Sequence, residues 1–323
     1  MPADANRFLT RTADAVNALA ERNRANPHNT ATAKRELSSD GPAINLHDTL
    51  RREAARLADH PLRTATADIP QPELEAERER RLTTWESETE TLAAPAAVTA
   101  YWGNDTTDRY WFADIERLAT VTWGNGQRAL NDLRRAPATL LTHSAGIAAI
   151  AAERWPLAAR ILTGPRAEDI MRRADMPAAA LLGPETVLGL RTSAAQVHGY
   201  LKPIFTGHVV ANESAFTEAW EHFEYLRLLV QKDAGNYIST PHLLVSGMRG
   251  DYRPLASQWL ERELASGEQH PLLRAGFLGG DLERATTTQK KVDSRISEWV
   301  DQIGWSTSKV INRFAPFHPD ELS

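Results

Sequence analysis

The stretch Pro137–Glu153, PATLLTHSAGIAAIAAE, lies in the most apolar part of the chain. Its apolar residues surround the helix axis almost completely instead of forming one stripe, which is typical of a helix buried on all sides. Its small residues would allow neighbouring backbones to approach closely. The stretch therefore predicts a buried central helix.

On both sides of this stretch, apolar residues recur at spacings of three and four, which is the pattern of amphipathic helices. The strongest stripe runs from Phe216 to Val230, with Asn212 or Ser214 as its N-cap and Gly235 as its stop. Further helices are predicted over 8–20, 46–58, 73–81, 108–120, 126–135, 155–162, 255–264 and 282–303.

Runs of β-branched residues with clean alternation are missing from the sequence. The best strand candidates, Val209–Val210 and Leu243–Val245, are too short to build a sheet. We therefore predict an all-α protein, either an irregular multi-helix bundle or a helical array, with a large buried core.

The chain has 323 residues, enough for one large domain or two smaller ones. Periodicity is poor over 166–212, where Gly, Pro and Thr are frequent, so this segment is predicted to form short helices joined by loops. The prediction is an N-terminal helical subdomain over 1–165 and a C-terminal one over 166–323, or one continuous domain.

Composition excludes several functions. The 37 Lys and Arg residues against 42 Asp and Glu give a net charge of −5, which offers no electrostatic footprint for nucleic acid. Cysteine is absent, so disulfides, thiol catalysis and Cys-based metal sites are excluded. With no apolar leader or membrane span in the sequence, we expect a cytoplasmic protein without a membrane partner. Arg134–Arg135 and Arg172–Arg173 could contact phosphate, but in a chain of net negative charge they are expected to be solvated helix ends.

The one nucleophile candidate is Ser144, in the sequence Thr142–Gly146. The nucleophile elbow of a serine hydrolase consists of a strand, a sharp turn and a helix. In this sequence, 138–141 would be the strand. Asp169 or Asp175 and His198 or His208 would complete a triad in the required chain order. However, Thr142 replaces the first Gly of the motif and the upstream residues are helical. We therefore predict no catalytic residue and keep Ser144 only as the alternative.

Metal and cofactor sites are not expected. Glu218 and His222 lie four residues apart on one predicted helix, but further ligands cannot be named. The sequence contains no phosphate-binding loop and no dinucleotide-binding motif, and Gly124–Gly126 is predicted to be a simple turn.

An aromatic cluster between 101 and 123 is more distinctive. Trp111 is predicted to belong to the core, whereas Tyr101 and Trp102 stand beside the turn Gly103–Asp105 and are the candidate binding residues.

Three segments, Tyr101–Gly103, Ala136–Ala152 and Phe223–Val230, occur in an order that resembles the helical C-terminal regions of some bacterial, often actinobacterial, defence-type proteins. In those proteins the helical region follows a Toll/interleukin-receptor-like or sirtuin-like effector. Here Met1 leads almost directly into the first predicted helix, so we expect a regulatory module expressed alone or a separately encoded partner.

The resemblance implies a non-enzymatic sensor or scaffold that binds a protein partner or effector, or forms a homo-oligomer, in bacterial defence or stress response. One alternative is an esterase-like serine hydrolase that uses Ser144, and another is a helical housekeeping interaction protein unrelated to defence.

Overall fold

The computed structural model describes residues 42–105, 108, 111–188, 193–206, 209–236, 248–249 and 253–302. The predicted helix over 8–20 and the strand candidate Leu243–Val245 lie outside these ranges.

The described residues are mainly helical, which confirms the all-α fold class. In chain order the α-helices are α1 Pro42–Ala58, α2 Leu74–Trp102, α3 Phe112–Ala119, α4 Arg128–Asp132, α5 Ala136–Ala151, α6 Trp155–Thr163, α7 Pro184–Val187, α8 Ser193–Phe205, α9 Glu213–Asp233, α10 Leu255–Glu263, α11 Pro271–Arg274 and α12 Leu282–Gln302. Short 3-10 turns occupy Pro61–Arg63, Gln71–Glu73, Leu133–Arg135, Ala178–Ala180, Leu264–Gln269 and Phe277–Gly280.

The central helix α5 is buried along nearly its whole length, as predicted. Pro137 stands in its first turn, where the missing backbone N–H costs nothing. The helix packs mainly against α2 and α9. At Gly146 the approach to α9 is so close that an added Cβ would overlap the ring of Phe223.

Helix α9 begins as its sequence predicts. The Asn212 side chain accepts a hydrogen bond from the backbone N–H of Ala215 at 3.0 Å, so it is the N-cap. The helix ends at Asp233, shortly before Gly235, whose φ of 76° requires a residue without a Cβ.

The prediction of short helices fails at 166–177, where the chain forms an antiparallel hairpin. Strand β1, Arg166–Asp169, pairs with β2, Ala174–Pro177. The Asp169 carboxylate accepts the backbone N–H groups of Met171 and Arg172 at 3.0 and 3.3 Å, which favours a turn over a helix.

Elsewhere in the described residues, strand structure is limited to β3, Met248–Arg249, and β4, Arg253–Pro254. The strand candidate Val209–Val210 is wrong, because Val210 forms only an isolated bridge with Thr206.

Buried apolar side chains form one cluster that runs from Leu50 to Ile296. Residues on both sides of the predicted 165/166 boundary contribute to it, and the division into two subdomains stays a prediction. Among the described helices, none combines the length and apolar character that crossing a membrane requires.

Candidate functional site

Ser144 lies in the middle of α5 and is fully buried. Its hydroxyl donates a hydrogen bond of 2.6 Å to the backbone carbonyl of Ala93 in α2. The strand proposed for 138–141 is wrong, because these residues belong to the same continuous helix. Ser144 therefore lacks the strand and the sharp turn that a nucleophile elbow requires.

The structure does not bring the proposed triad partners to Ser144. Asp175 pairs with Arg166 at 2.9 Å on the exposed hairpin, and the side chain of Asp169 is occupied at the hairpin tip. His198 lies 3.3 Å from the hydroxyl of Thr217, and burial lowers its pKa to about 3. His208 lies outside the described residues.

A buried group of charged and polar side chains joins three helices instead. We call it the core ionic cluster: His143 of α5, Glu185 of α7, and Glu224, Arg227 and Gln231 of α9. All five side chains are almost entirely shielded from solvent. The cluster therefore links α5, α7 and α9 through polar contacts inside an otherwise apolar core.

Arg227 is the centre of this cluster. Its Nε donates to Glu224 Oε1 at 2.9 Å and its Nη2 donates to Glu224 Oε2 at 3.1 Å. Nη1 donates to the side-chain carbonyl of Gln231 at 2.8 Å, and Nη2 also reaches Glu185 Oε1 at 3.3 Å. This arrangement uses the planar, multiple-donor geometry that distinguishes arginine from lysine.

His143 connects the cluster to α5. Its Nδ1 lies 2.7 Å from the backbone carbonyl of Thr139, and its Nε2 contacts the Glu224 carboxylate. Each ring nitrogen of His143 therefore faces an oxygen, one from the backbone of its own helix and one from the side chain of α9. Burial alone would raise the pKa of Glu224, but Arg227 and His143 outweigh it and lower the pKa to about 2.

The second carboxylate of the cluster behaves differently. Burial raises the pKa of Glu185, and the charge of Arg227 only partly opposes this rise. Its Oε2 is buried, with no hydrogen-bond partner in the part of the chain that the structure describes. The two carboxylates are therefore held by one guanidinium, which makes the cluster sensitive to any loss of that positive charge.

Sequence reasoning missed this cluster, although a signal was present. Glu224, Arg227 and Gln231 follow one another at i, i+3 and i+7, so they share one face of α9 within its apolar stripe. Polar residues on the face that packs into a core need hydrogen-bond partners, on the same helix or on another. His143, also placed in an apolar helix, supplies one of them.

Asp114 near the start of α3 is a buried carboxylate outside this cluster. It is almost fully shielded, and its Oδ2 has no hydrogen-bond partner among the residues that the structure describes. Burial raises its pKa to about 6, against the opposing charges of Arg117 and Arg51. Because the folded-state pKa is raised, the protonated form is favoured by folding, and stability falls as the pH rises through about 6.

We expect Asp114→Asn to raise the free energy of unfolding by about 1–2 kcal/mol at pH 7.5, because the amide removes the cost of a buried charge. The gain should shrink as the pH is lowered to 4.5, where folded Asp114 is already protonated. Urea unfolding at the two pH values measures the difference. An equal gain in the free energy of unfolding at both pH values would contradict the presence of a buried ionised carboxylate at pH 7.5.

The candidate binding residues lie at the C-terminal end of α2. Trp102 is its last residue and is 45% exposed, while Tyr101 is half-buried, with the two ring centroids 4.5 Å apart. Arg154 holds this end of the helix, because its Nη1 donates to the backbone carbonyls of Thr99 and Ala100 at 3.2 and 2.7 Å. The aromatic pair therefore stands on a firmly anchored helix end.

The predicted core position of Trp111 is confirmed, since this residue is fully buried. His222 stacks on Trp259 with a centroid distance of 3.8 Å, and burial followed by the charge of Arg262 lowers its pKa to about 4. Within the ranges described, no three His, Asp or Glu side chains come together in a way that could hold a metal ion.

The expectation that the arginine pairs are solvated helix ends is wrong. Arg134 and Arg135 are buried, and their side chains donate to backbone carbonyls of other segments. Arg172 and Arg173 are exposed but stand at the tip of the hairpin instead of a helix end. Burial of Arg134 and Arg135 depends on carbonyls distant in the chain, which local sequence does not reveal.

Comparison of this chain with protein-family models, with curated proteins and with solved structures finds no match. The fold places it in the class of all-α proteins with a large buried core. The resemblance to helical regions of bacterial defence-type proteins stays a prediction.

Proposed function

We propose that this protein is a helical sensor or scaffold module without enzymatic activity. It acts by binding a protein partner or effector, or by forming a homo-oligomer, and it serves bacterial defence or a stress response in the cytoplasm. Within the described residues, the burial of the candidate nucleophile and of the histidine beside it in the sequence supports this proposal. Ser144 and His143 are both fully enclosed in the core, where a substrate does not reach them.

The observation that carries the proposal is the exposure of Trp102. Tryptophan is among the residues most enriched in binding hot spots. Trp102 is 45% exposed, rests against Tyr101, and ends a helix whose last carbonyls are bound by Arg154. Such a side chain can enter a pocket on a partner with little loss of conformational entropy.

We expect Trp102→Ala to abolish self-association, or co-purification with a separately encoded effector, while changing the free energy of unfolding by less than about 1 kcal/mol. Light scattering after size-exclusion chromatography, with and without co-expressed effector, measures the effect. Met171→Ala is the matched control, because Met171 is 66% exposed but lies at the hairpin tip.

Two results would contradict the proposal. One is a wild-type protein that stays monomeric at high concentration and binds no co-expressed effector. The other is equal loss of association in the Trp102→Ala and Met171→Ala variants, which would indicate non-specific apolar contact.

A further inference from the structure

Two buried arginines lie close to each other, and one of them, Arg134, lies beneath the turn Trp123–Gly126. Arg81 of α2 is only 2% exposed, and Arg134 is 4% exposed. Arg81 Nη2 donates to the carbonyl of Thr66 at 2.6 Å, and Arg134 Nη2 donates to the carbonyl of Ala65 at 2.8 Å. Burial, and then repulsion from Arg81, lowers the pKa of Arg134, so the two guanidinium groups are close enough to interact.

Several donors in this region have no acceptor among the described residues. Within those ranges, Arg81 Nη1, Arg134 Nε and the indole Nε1 of Trp123 are shielded from solvent and make no hydrogen bond. A buried donor without a partner destabilises the fold, and more so when it is charged. All three atoms are donors, so an oxygen-rich acceptor is the chemistry that would satisfy them.

Positive charge is also in excess here. Glu77 pairs with Arg81 at 2.7 Å, but within the described part of the chain neither Arg134 nor Arg63 has a carboxylate partner. Arg63 instead donates to backbone carbonyls, including that of Arg134 at 2.8 Å. Burial, followed by repulsion from Arg134, Arg135 and Arg117, lowers the pKa of Arg63 to about 10.

Gly124 lies between the protein surface and the guanidinium of Arg134. It is exposed, and a Cβ added to it would lie 3.5 and 3.8 Å from the two Nη atoms of Arg134, with no other heavy atom within 4 Å apart from its chain neighbours. Asn131 holds the turn in place by hydrogen bonds to the backbone N–H and carbonyl of Gly124, at 3.2 and 3.1 Å. On the side of this turn, the residue that lies over the guanidinium of Arg134 therefore has no side chain.

We propose that Arg81, Arg134 and the turn Trp123–Gly126 form a binding site for an oxyanion of the phosphoryl class, either inorganic phosphate or the phosphate group of a small metabolite. Its oxygens accept from the unused donor of each arginine, Nη1 of Arg81 and Nε of Arg134, and the positive charge of the guanidinium groups strengthens these hydrogen bonds. Its charge offsets the excess of buried positive charge. The site is independent of the interaction surface at Trp102.

Thermal unfolding tests the site with inorganic phosphate and with adenosine monophosphate, each compared with chloride at equal ionic strength. We expect a saturable rise in Tm of roughly 2–4 °C with phosphate, because a ligand that binds only the folded state stabilises it. A larger rise with adenosine monophosphate at equal concentration would assign the phosphoryl group to a nucleotide-like metabolite. An equal or smaller rise would assign it to free phosphate.

Arg134→Met removes the site but also removes bonds to the carbonyls of Ala65 and Thr122, so it can weaken the fold. Gly124→Leu avoids this difficulty, because its φ is not positive and its Cβ meets Arg134 at ordinary contact distance. The leucine covers the guanidinium, and we expect the phosphate-dependent rise in Tm to disappear. Asn125→Leu, in the same exposed turn, is the matched control that keeps it.

The proposal is overturned if the wild-type Tm rises no more with phosphate than with chloride, since the unused donors would then be satisfied by ordered water alone. It is also overturned if Gly124→Leu and Asn125→Leu retain the same phosphate-dependent rise, because that rise would be a general salt effect.

Discussion

Replacing Arg227 with leucine is expected to lower the free energy of unfolding by about 3–5 kcal/mol, because the change leaves buried carboxylates without their counter-charge. Arg227 holds both Glu224 and Glu185, and none of the three side chains can turn to solvent. Urea unfolding measured at pH 7.5 gives the loss directly.

The matched control is Arg284→Leu. Arg284 also binds a carboxylate with two donors, at 2.7 and 2.8 Å from Asp233, but its side chain is half-exposed. A solvent-exposed pair of this kind contributes about 0–1 kcal/mol. Equal losses in the Arg227→Leu and Arg284→Leu variants would contradict the decisive role of burial. Adding Glu224→Gln to Arg227→Leu should recover part of the loss, because it removes one of the stranded charges.

The second large effect is expected at Gly146. In an isolated helix, Gly146→Ala would be stabilising by up to about 1 kcal/mol. In this protein we expect it to lower the free energy of unfolding by about 2–3 kcal/mol, because the new Cβ overlaps the buried ring of Phe223. Thermal or urea unfolding of the single variant measures the net effect.

A double-mutant cycle separates this clash from other causes. Phe223→Leu alone leaves a cavity and destabilises the core, whereas in the Gly146→Ala background the smaller side chain makes room for the added methyl group. The two changes should therefore cost less together than the sum of their separate costs. Strictly additive losses would show that α5 and α9 do not meet at this point.

The two proposed sites depend on different parts of the structure. The proposed interaction surface needs only a rigid helix end that presents Trp102, whereas the proposed oxyanion site needs the precise meeting of α2, the turn after Thr122 and the segment before Ala67. A variant at Gly124 should leave association intact, and a variant at Trp102 should leave the phosphate response intact. The two can therefore be tested separately in one protein.

Helix positions could be predicted from the sequence because they depend on local periodicity and end signals. The stretch from 137 to 153 is apolar on all sides and became the buried helix α5, and Asn212 caps α9 because its side chain reaches a backbone N–H three residues ahead. The hairpin at 166–177 was missed because its turn depends on the Asp169 side chain and its strands are too short to show alternation.

By itself, the sequence determined that this is an all-α protein built around α5, because the apolar residues of that stretch lie on every side of the helix. Only the tertiary structure decided what the polar residues do. Ser144 became a donor to Ala93, His143 and Arg227 met in one buried cluster, and Arg134 was covered by carbonyls from distant segments. The reason is physical: apolar burial follows from a residue's own neighbours in the chain, whereas a buried polar group needs a partner, and that partner comes from wherever the fold brings it.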